Sequence, residues 1–206
     1  MNSNEDLVAS LSAQNILRST LLKKAFLSVD RALFVPESMH DHAYADIALP
    51  LVSGQTISQP TTVAIMLELL ELAEDQKVLD IGAGSGWVSC LIAKCVGQRG
   101  QVFAYEKDQT VGQLGLQNIQ KIKNKNVSYF IANAAKNWQS HGPFDRIHSG
   151  AAFTKIPADL PQQLKIGGIL VAPTQGGYMH KICRPATNKF SEQKIYGFAF
   201  VPFKTD

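Results

Sequence analysis

Apolar residues recur at helical spacing near the start of the chain. Within residues 5–29, Leu7, Leu11, Ile16, Leu17, Leu21 and Leu22 predict an amphipathic helix or a pair of helices. Residues 31–60 lose that period and carry Pro36, Pro50, Pro60 and Gly54 among short apolar patches. Such a stretch reads as irregular but ordered, and connections this long in compact domains are usually functional. Helical spacing resumes over 61–72 with Val63, Met66, Leu67 and Leu70, and Pro60 suits its first turn.

Beyond residue 77 the pattern alternates between short apolar runs and longer amphipathic ones. Strands are predicted at 78–81, 101–105, 127–131, 144–147 and 168–172, with helices at 87–96 and 109–123. Strands alternating with helices imply βαβ units and a doubly wound, mostly parallel α/β sheet with helices on both faces. Runs at 178–184 and 194–201 follow each other with only a polar turn between them. They predict a terminal antiparallel hairpin closing one edge of a seven-stranded sheet.

Composition narrows the class. The chain has 206 residues, enough for roughly one to one and a half domains at ~150 residues each. No repeat or low-complexity linker interrupts it. The expected organisation is an N-terminal helical extension, residues 1–74, packed with a core, residues 75–206, as one compact domain. Hydrophobic residues make up 45% and charged residues only 18%, which excludes a disordered chain and suits a sheet buried on both faces. Twenty basic against seventeen acidic residues leave +3, too little to indicate a nucleic-acid partner. The run Lys121, Lys123, Lys125 reads as solvated surface.

No apolar stretch reaches the ~18 residues that span a bilayer. Met1-Asn-Ser-Asn-Glu-Asp6 lacks the features of a secretory signal. Cys90, Cys95 and Cys183 have no metal-ligand spacing and read as small buried hydrophobes in a reducing compartment. His40, His42, His141 and His180 form no ligand motif, so no metal is expected. A cytoplasmic monomer without membrane or nucleic-acid partners is the expectation.

The chemistry concentrates at Val78-Leu-Asp80-Ile-Gly82-Ala83-Gly84-Ser85-Gly86. A strand ends there in glycines that let the backbone turn sharply and approach a ligand, and a helix begins at once. Glu106 closes the next strand, where the carboxyl ends of parallel strands form the ligand crevice. A carboxylate there can accept both hydroxyls of a ribose. The glycine spacing is G-x-G-x-G, not the G-x-G-x-x-G of dinucleotide sites. Asp80, just ahead of it, is unwelcome beside a pyrophosphate but suits the ammonium and sulfonium of S-adenosyl-L-methionine. The residues therefore favour a methyltransferase over a dinucleotide enzyme.

This turn resembles motif I of class I S-adenosylmethionine-dependent methyltransferases, which are Rossmann-like. Its flanks narrow the resemblance. Arg31-Ala-Leu-Phe-Val-Pro36, Ala43-Tyr-Ala-Asp46, Gly54-Gln-Thr-Ile-Ser-Gln-Pro60 and Met66 are similar to the N-terminal signature of the protein-L-isoaspartate (D-aspartate) O-methyltransferase family. Pro143-Phe-Asp145, Ala151-Ala152, Ile156-Pro157, Gln163-Leu-Lys165, Gly167-Gly168 and Phe200-Val-Pro202 continue it in collinear order.

The resemblance implies methyl transfer to the α-carboxylate of L-isoaspartyl residues in damaged peptides and proteins. Repair would then begin through a succinimide, and S-adenosyl-L-homocysteine would be the product. It places Ser58 at the active-site serine position. Gln55, Thr56, Ile57, Ser58, Asp80, Gly82, Ala83, Gly84, Ser85, Gly86, Glu106, Asn133 and Ala134 fall at cofactor-contact positions. Ser58 lies in no G-x-S-x-G elbow, and its expected role is to orient the acceptor carboxylate, not to attack. Four positions depart from the family pattern: Ala132-Asn133-Ala134 in place of Gly-Asp-Gly, Trp87, His148-Ser-Gly150, and Phe153. His148 reads as a strand residue with a satisfied hydrogen bond. The competing readings are a divergent member that methylates another carboxylate, and a module that binds isoaspartate without turnover.

Overall fold

The computed structural model describes residues 1–122 and 125–204. Lys123, in the basic run and at the end of the helix expected over 109–123, lies outside them.

The chain opens with two helices, α1 (Asn4–Ala13) and α2 (Thr20–Ser28). Each starts at a serine whose side chain accepts a backbone N–H of its first turn, Ser3 from Asp6 and Ser19 from Leu22. Residues 31–59 hold two 3₁₀ turns, Arg31–Phe34 and Glu37–His42, and a minimal antiparallel pair, β1 (Leu49–Pro50) with β2 (Thr56–Ile57). Helix α3 (Pro60–Leu70) begins at Pro60, whose missing N–H costs nothing there, and ends at left-handed Glu71.

The core follows as β3 (Lys77–Ile81), α4 (Trp87–Val96), β4 (Gln101–Glu106), α5 (Gln109–Ile122) and β5 (Val127–Ile131). A short α6 (Trp138–His141) leads to β6 (Phe144–Ser149), and a 3₁₀ turn at Pro161–Gln163 to β7 (Leu164–Pro173). The hairpin β8 (Tyr178–Ala186) and β9 (Lys189–Tyr196) completes the sheet. Seven strands pair in the order β5-β4-β3-β6-β7-β8-β9. The first five are mutually parallel, whereas β8 pairs antiparallel with both β7 and β9.

Alternate residues of β3 face opposite ways, as strand geometry dictates. Val78 belongs to one buried cluster and Leu79 and Ile81 to another. The two faces are covered unequally. On the first, α1–α5 and the sheet share one continuous core that includes Leu7, Phe26, Met66, Leu91 and Ile119. Phe26 of α2 meets Trp87 of α4 edge-on at 5.7 Å, so the N-terminal helices belong to the same core as the sheet. The second face is closed by α6 and irregular segments, through Trp138, Phe153, Leu160 and Leu164.

The last strand departs from expectation. It spans 189–196, not 194–201. Gly197, at φ +113°, turns the chain off the sheet edge, and both its N–H and that of Phe198 donate to Gly177 O. The apolar run Phe198–Val201 that suggested a strand is used to cover a cavity.

Cys90 and Cys95 are buried in the helical core, and burial pushes the Cys95 thiol up to about 12. Among the described residues no helix is long and apolar enough to cross a membrane. Nor do any three of their His, Cys, Asp or Glu side chains converge as a metal site would require.

Candidate active site

Strand order reverses between β3 and β6, and a crevice must open at the carboxyl ends of the strands there. The structure has a cavity of about 820 Å³ at that point, in the upper part of the ~300–1,000 Å³ range of small-molecule sites.

Its floor is the turn after β3. Gly82, Gly84 and Gly86 have φ of +70°, +56° and +83°, which a side chain would strain. Backbone bonds tie the turn to β4, with Gly82 N and Ala83 N both donating to Tyr105 O at 2.8 and 3.0 Å. Side chains fix the rest. Tyr129 Oη donates to Gly84 O at 2.7 Å, and Asn118 Nδ2 to Ser85 O at 3.1 Å.

Glu106 forms the adjacent wall at the end of β4. Its carboxylate accepts Gly84 N–H at 3.0 Å through Oε2 and Asp108 N–H at 2.9 Å through Oε1. Burial raises its pKa above the ordinary range, against these same amides, which favour the ionised form. The Lys107 amide also faces the Glu106 carboxylate, whose remaining lone pairs are open to ligand hydroxyls. At the end of β5, Asn133 Oδ1 caps the next 3₁₀ turn by accepting Ala135 N–H at 2.9 Å.

The opposite wall is built from irregular chain. Gln55, Thr56, Ile57 and Ser58 line the cavity from the β2 segment, and the Ser58 hydroxyl makes no hydrogen bond to another described residue. The segment 197–204 lines it from the other side. That strap is pinned by Ala152, whose N–H donates to Val201 O and whose carbonyl accepts from Phe203, both at 2.8 Å. Phe203 also packs on Phe153, ring centroids 4.6 Å apart.

The structure thus brings Gln55, Thr56, Ile57, Ser58, Gly82, Ala83, Gly84, Ser85, Glu106, Asn133 and Ala134 around one cavity. Two expected contacts stand elsewhere. Asp80 is fully buried behind the turn, one carboxylate oxygen taken by Ser89 Oγ and the other 2.8 Å from His148 Nδ1. It is not among the lining residues, and its charge is spent on the scaffold. Gly86 caps α4, where an added Cβ would stand 2.8 Å from Ile119 Cγ1, so it serves helix packing.

His148 is a buried strand residue as expected, but only half satisfied. Its Nδ1 meets Asp80 while its buried Nε2 has no partner among the described residues. Trp87 also lines the cavity, with its side chain almost wholly buried against Phe26 and Arg31. The strap was the part missed by periodicity. Phe200-Val-Pro202 carried the resemblance, but the continuous apolar run Phe198–Val201 mimics a buried strand.

The profile of the family described as protein-L-isoaspartate (D-aspartate) O-methyltransferase (PCMT) matches residues 2–206. The chain belongs to that family. The protein-L-isoaspartate O-methyltransferase of Ignicoccus hospitalis is 34% identical over 201 residues, covering 96% of this chain and 95% of that protein. The one of Methanosarcina mazei is 38% identical over 182 residues, covering 87% and 74%. Among solved structures, the Plasmodium falciparum PCMT crystallised in complex with S-adenosyl-L-homocysteine superposes with a TM-score of 0.90. It is 22% identical, with all of both chains covered, and so shares the fold.

Proposed function

We propose that this PCMT-family chain transfers a methyl group from S-adenosyl-L-methionine to the α-carboxylate of L-isoaspartyl residues in damaged proteins. The observation that carries the reading is the meeting, in one cavity, of a glycine turn, a carboxylate at the end of the next strand and the Gln55–Ser58 segment. Curated relatives bearing the isoaspartate name, at 34–38% identity over most of the chain, support the acceptor.

The residues fit the cofactor. Glu106 accepts the ribose hydroxyls, the turn Gly82–Ser85 admits close backbone approach, and Asn133 offers the adenine amine an acceptor. S-adenosyl-L-methionine supplies a methyl carbon on a positively charged sulfur. An α-carboxylate, with an ordinary pKa near ~3.5, is already ionised at neutral pH and needs no general base. What the protein adds is alignment: Ser58 Oγ donates to one carboxylate oxygen while the other faces the methyl carbon. Holding reactants in line supplies most of the acceleration such a reaction needs.

The test is labelled S-adenosyl-L-methionine with paired peptides that differ only in Asp or isoAsp. Base-labile label on the isoAsp peptide alone is the expected result. Label on neither peptide, with S-adenosyl-L-homocysteine still bound, would leave the chain as a binding module. Label on a different carboxylate would move it to the divergent reading.

A further inference from the structure

Arg31 is fully buried, 0% exposed, yet touches no carboxylate. Its guanidinium is spent on main-chain carbonyls instead. Nη1 donates to Ala43 O at 2.6 Å and Ala45 O at 3.2 Å, and Nη2 to Ile47 O at 3.0 Å and Ser58 O at 3.2 Å. The first three lie on the way into the loop 43–58 and the fourth on the way out, so one side chain ties the loop shut at its base. The same group stands 5.3 Å from the centre of the Trp87 ring, which lines the cavity.

Only arginine can do this. A planar fork with five donors reaches several carbonyls at once and stacks on an aromatic face, whereas an ammonium offers three donors and no plane. Burial pushes the guanidinium down to about 10, and Asp46 nearby pulls it back up, so it stays charged at neutral pH. Asp46 meanwhile fastens the loop to α3, accepting Thr61 N–H at 2.8 Å and Thr61 Oγ1–H at 2.7 Å.

We infer that Arg31 is a positioning residue for methyl transfer, latching the loop that carries Ser58 against the wall that holds the cofactor. The inference rests on the acceptor role given to Ser58 above. A carbonyl contact to Ser58 itself means that loss of the latch moves the hydroxyl that orients the acceptor. Misplacement of about 1 Å is enough to cost about 100-fold in rate.

The experiment compares wild type with Arg31→Lys and Arg31→Met. It follows steady-state kinetics on an isoAsp peptide, calorimetry with S-adenosyl-L-homocysteine and amide hydrogen exchange. Expected for Arg31→Met is about a 100-fold fall in kcat/KM, and for Arg31→Lys about 10-fold, on the same alignment argument. S-adenosyl-L-homocysteine affinity should fall far less than kcat/KM, by about threefold, because the contacts expected at Gly82–Ser85, Glu106 and Asn133 are untouched and only those from Gln55–Ser58 shift. Exchange should speed up across residues 43–58 and stay unchanged in β3 and β4.

A cavity variant, Arg31→Gly, should recover activity with methylguanidinium and not with methylammonium. Wild-type kcat/KM in Arg31→Lys would overturn the inference, as would affinity loss parallel to the loss of kcat/KM. If Arg31→Met does not fold, Arg31→Lys still decides. The exchange readout is independent of turnover, so an inactive wild type would refute the proposed function while the latch is still tested.

Discussion

The two walls of the cavity are built on different principles. The wall of strand ends, from Gly82 to Ser85 and Glu106, is held by backbone bonds to Tyr105 and by Tyr129 and Asn118 from neighbouring elements. The bonds to Tyr105 and Tyr129 are fixed by the register of the strands, and Asn118 adds one from α5. The wall of irregular chain, residues 43–59 and 197–204, has a two-residue β pair and a few long-range ties: Arg31, Asp46, Gly177 and Ala152. The contrast divides the labour of a group transfer. On the proposed function, the stiff wall would carry most of the contacts to an invariant cofactor, and the irregular one would admit peptides of many sequences while keeping the Ser58 hydroxyl in place.

The largest expected effect tests the helix start that backs the first wall. Gly86→Ala adds about 1–2 kcal/mol of left-handed strain and about 1–3 kcal/mol of overpacking against Ile119. It should lower unfolding stability by about 2–5 kcal/mol in a denaturant titration. Gly54, at φ +69°, faces open space in the second wall, so Gly54→Ala should cost only the backbone share, about 1–2 kcal/mol. Equal losses at the two positions would erase the contrast.

Next in size is Glu106→Gln. Hydrogen bonds to a charged group contribute about 1.5–3 kcal/mol, so S-adenosyl-L-homocysteine should bind about 10- to 100-fold more weakly by calorimetry. The wild type should also show a pH step. On the proposed function the ribose hydroxyls would donate to the ionised carboxylate, while burial raises the Glu106 pKa above its ordinary 4.5. Affinity should therefore fall as pH drops through that raised value, starting above 4.5, and the step should vanish in Glu106→Gln. A step that persists in the variant would assign it to another group.

On the second wall, Ser58→Ala removes one orienting hydrogen bond of about 0.5–1.5 kcal/mol. Turnover of an isoAsp peptide should fall about three- to tenfold, with cofactor affinity unchanged within about twofold. Normal turnover would take Ser58 out of the acceptor site.

The same division explains what could be read from the sequence. Helix α4 and strand β5 stand at the residues their periodicity predicts, because an amphipathic run packed on a sheet obeys a fixed period. The glycine turn and Glu106 were legible because strand order alone brings them together. The irregular wall has no period to read. Phe198–Val201 is a continuous apolar run like that of a buried strand, and only the break at Gly197 and its bonds to Gly177 send it over the cavity. The burial of Asp80 has a different cause. Sequence places a carboxylate beside the turn, but the partners that absorb both its oxygens, Ser89 and His148, come from α4 and β6.

The smallest effect sharpens the edge of the first wall. Asn133 stands at the end of β5, where the proposed function places the adenine amine, and its Oδ1 already accepts Ala135 N–H to cap the following turn. Asn133→Asp keeps that cap with one oxygen and offers the second as a charged acceptor. Repulsion from Glu106 and Asp108, both also lining the cavity, offsets part of the gain. With a net contribution of about 0.5–1 kcal/mol, S-adenosyl-L-homocysteine should bind about two- to fivefold more tightly. Equal or weaker affinity in calorimetry would mean that Asn133 acts only on the backbone turn it caps, and that the adenine amine meets a main-chain acceptor.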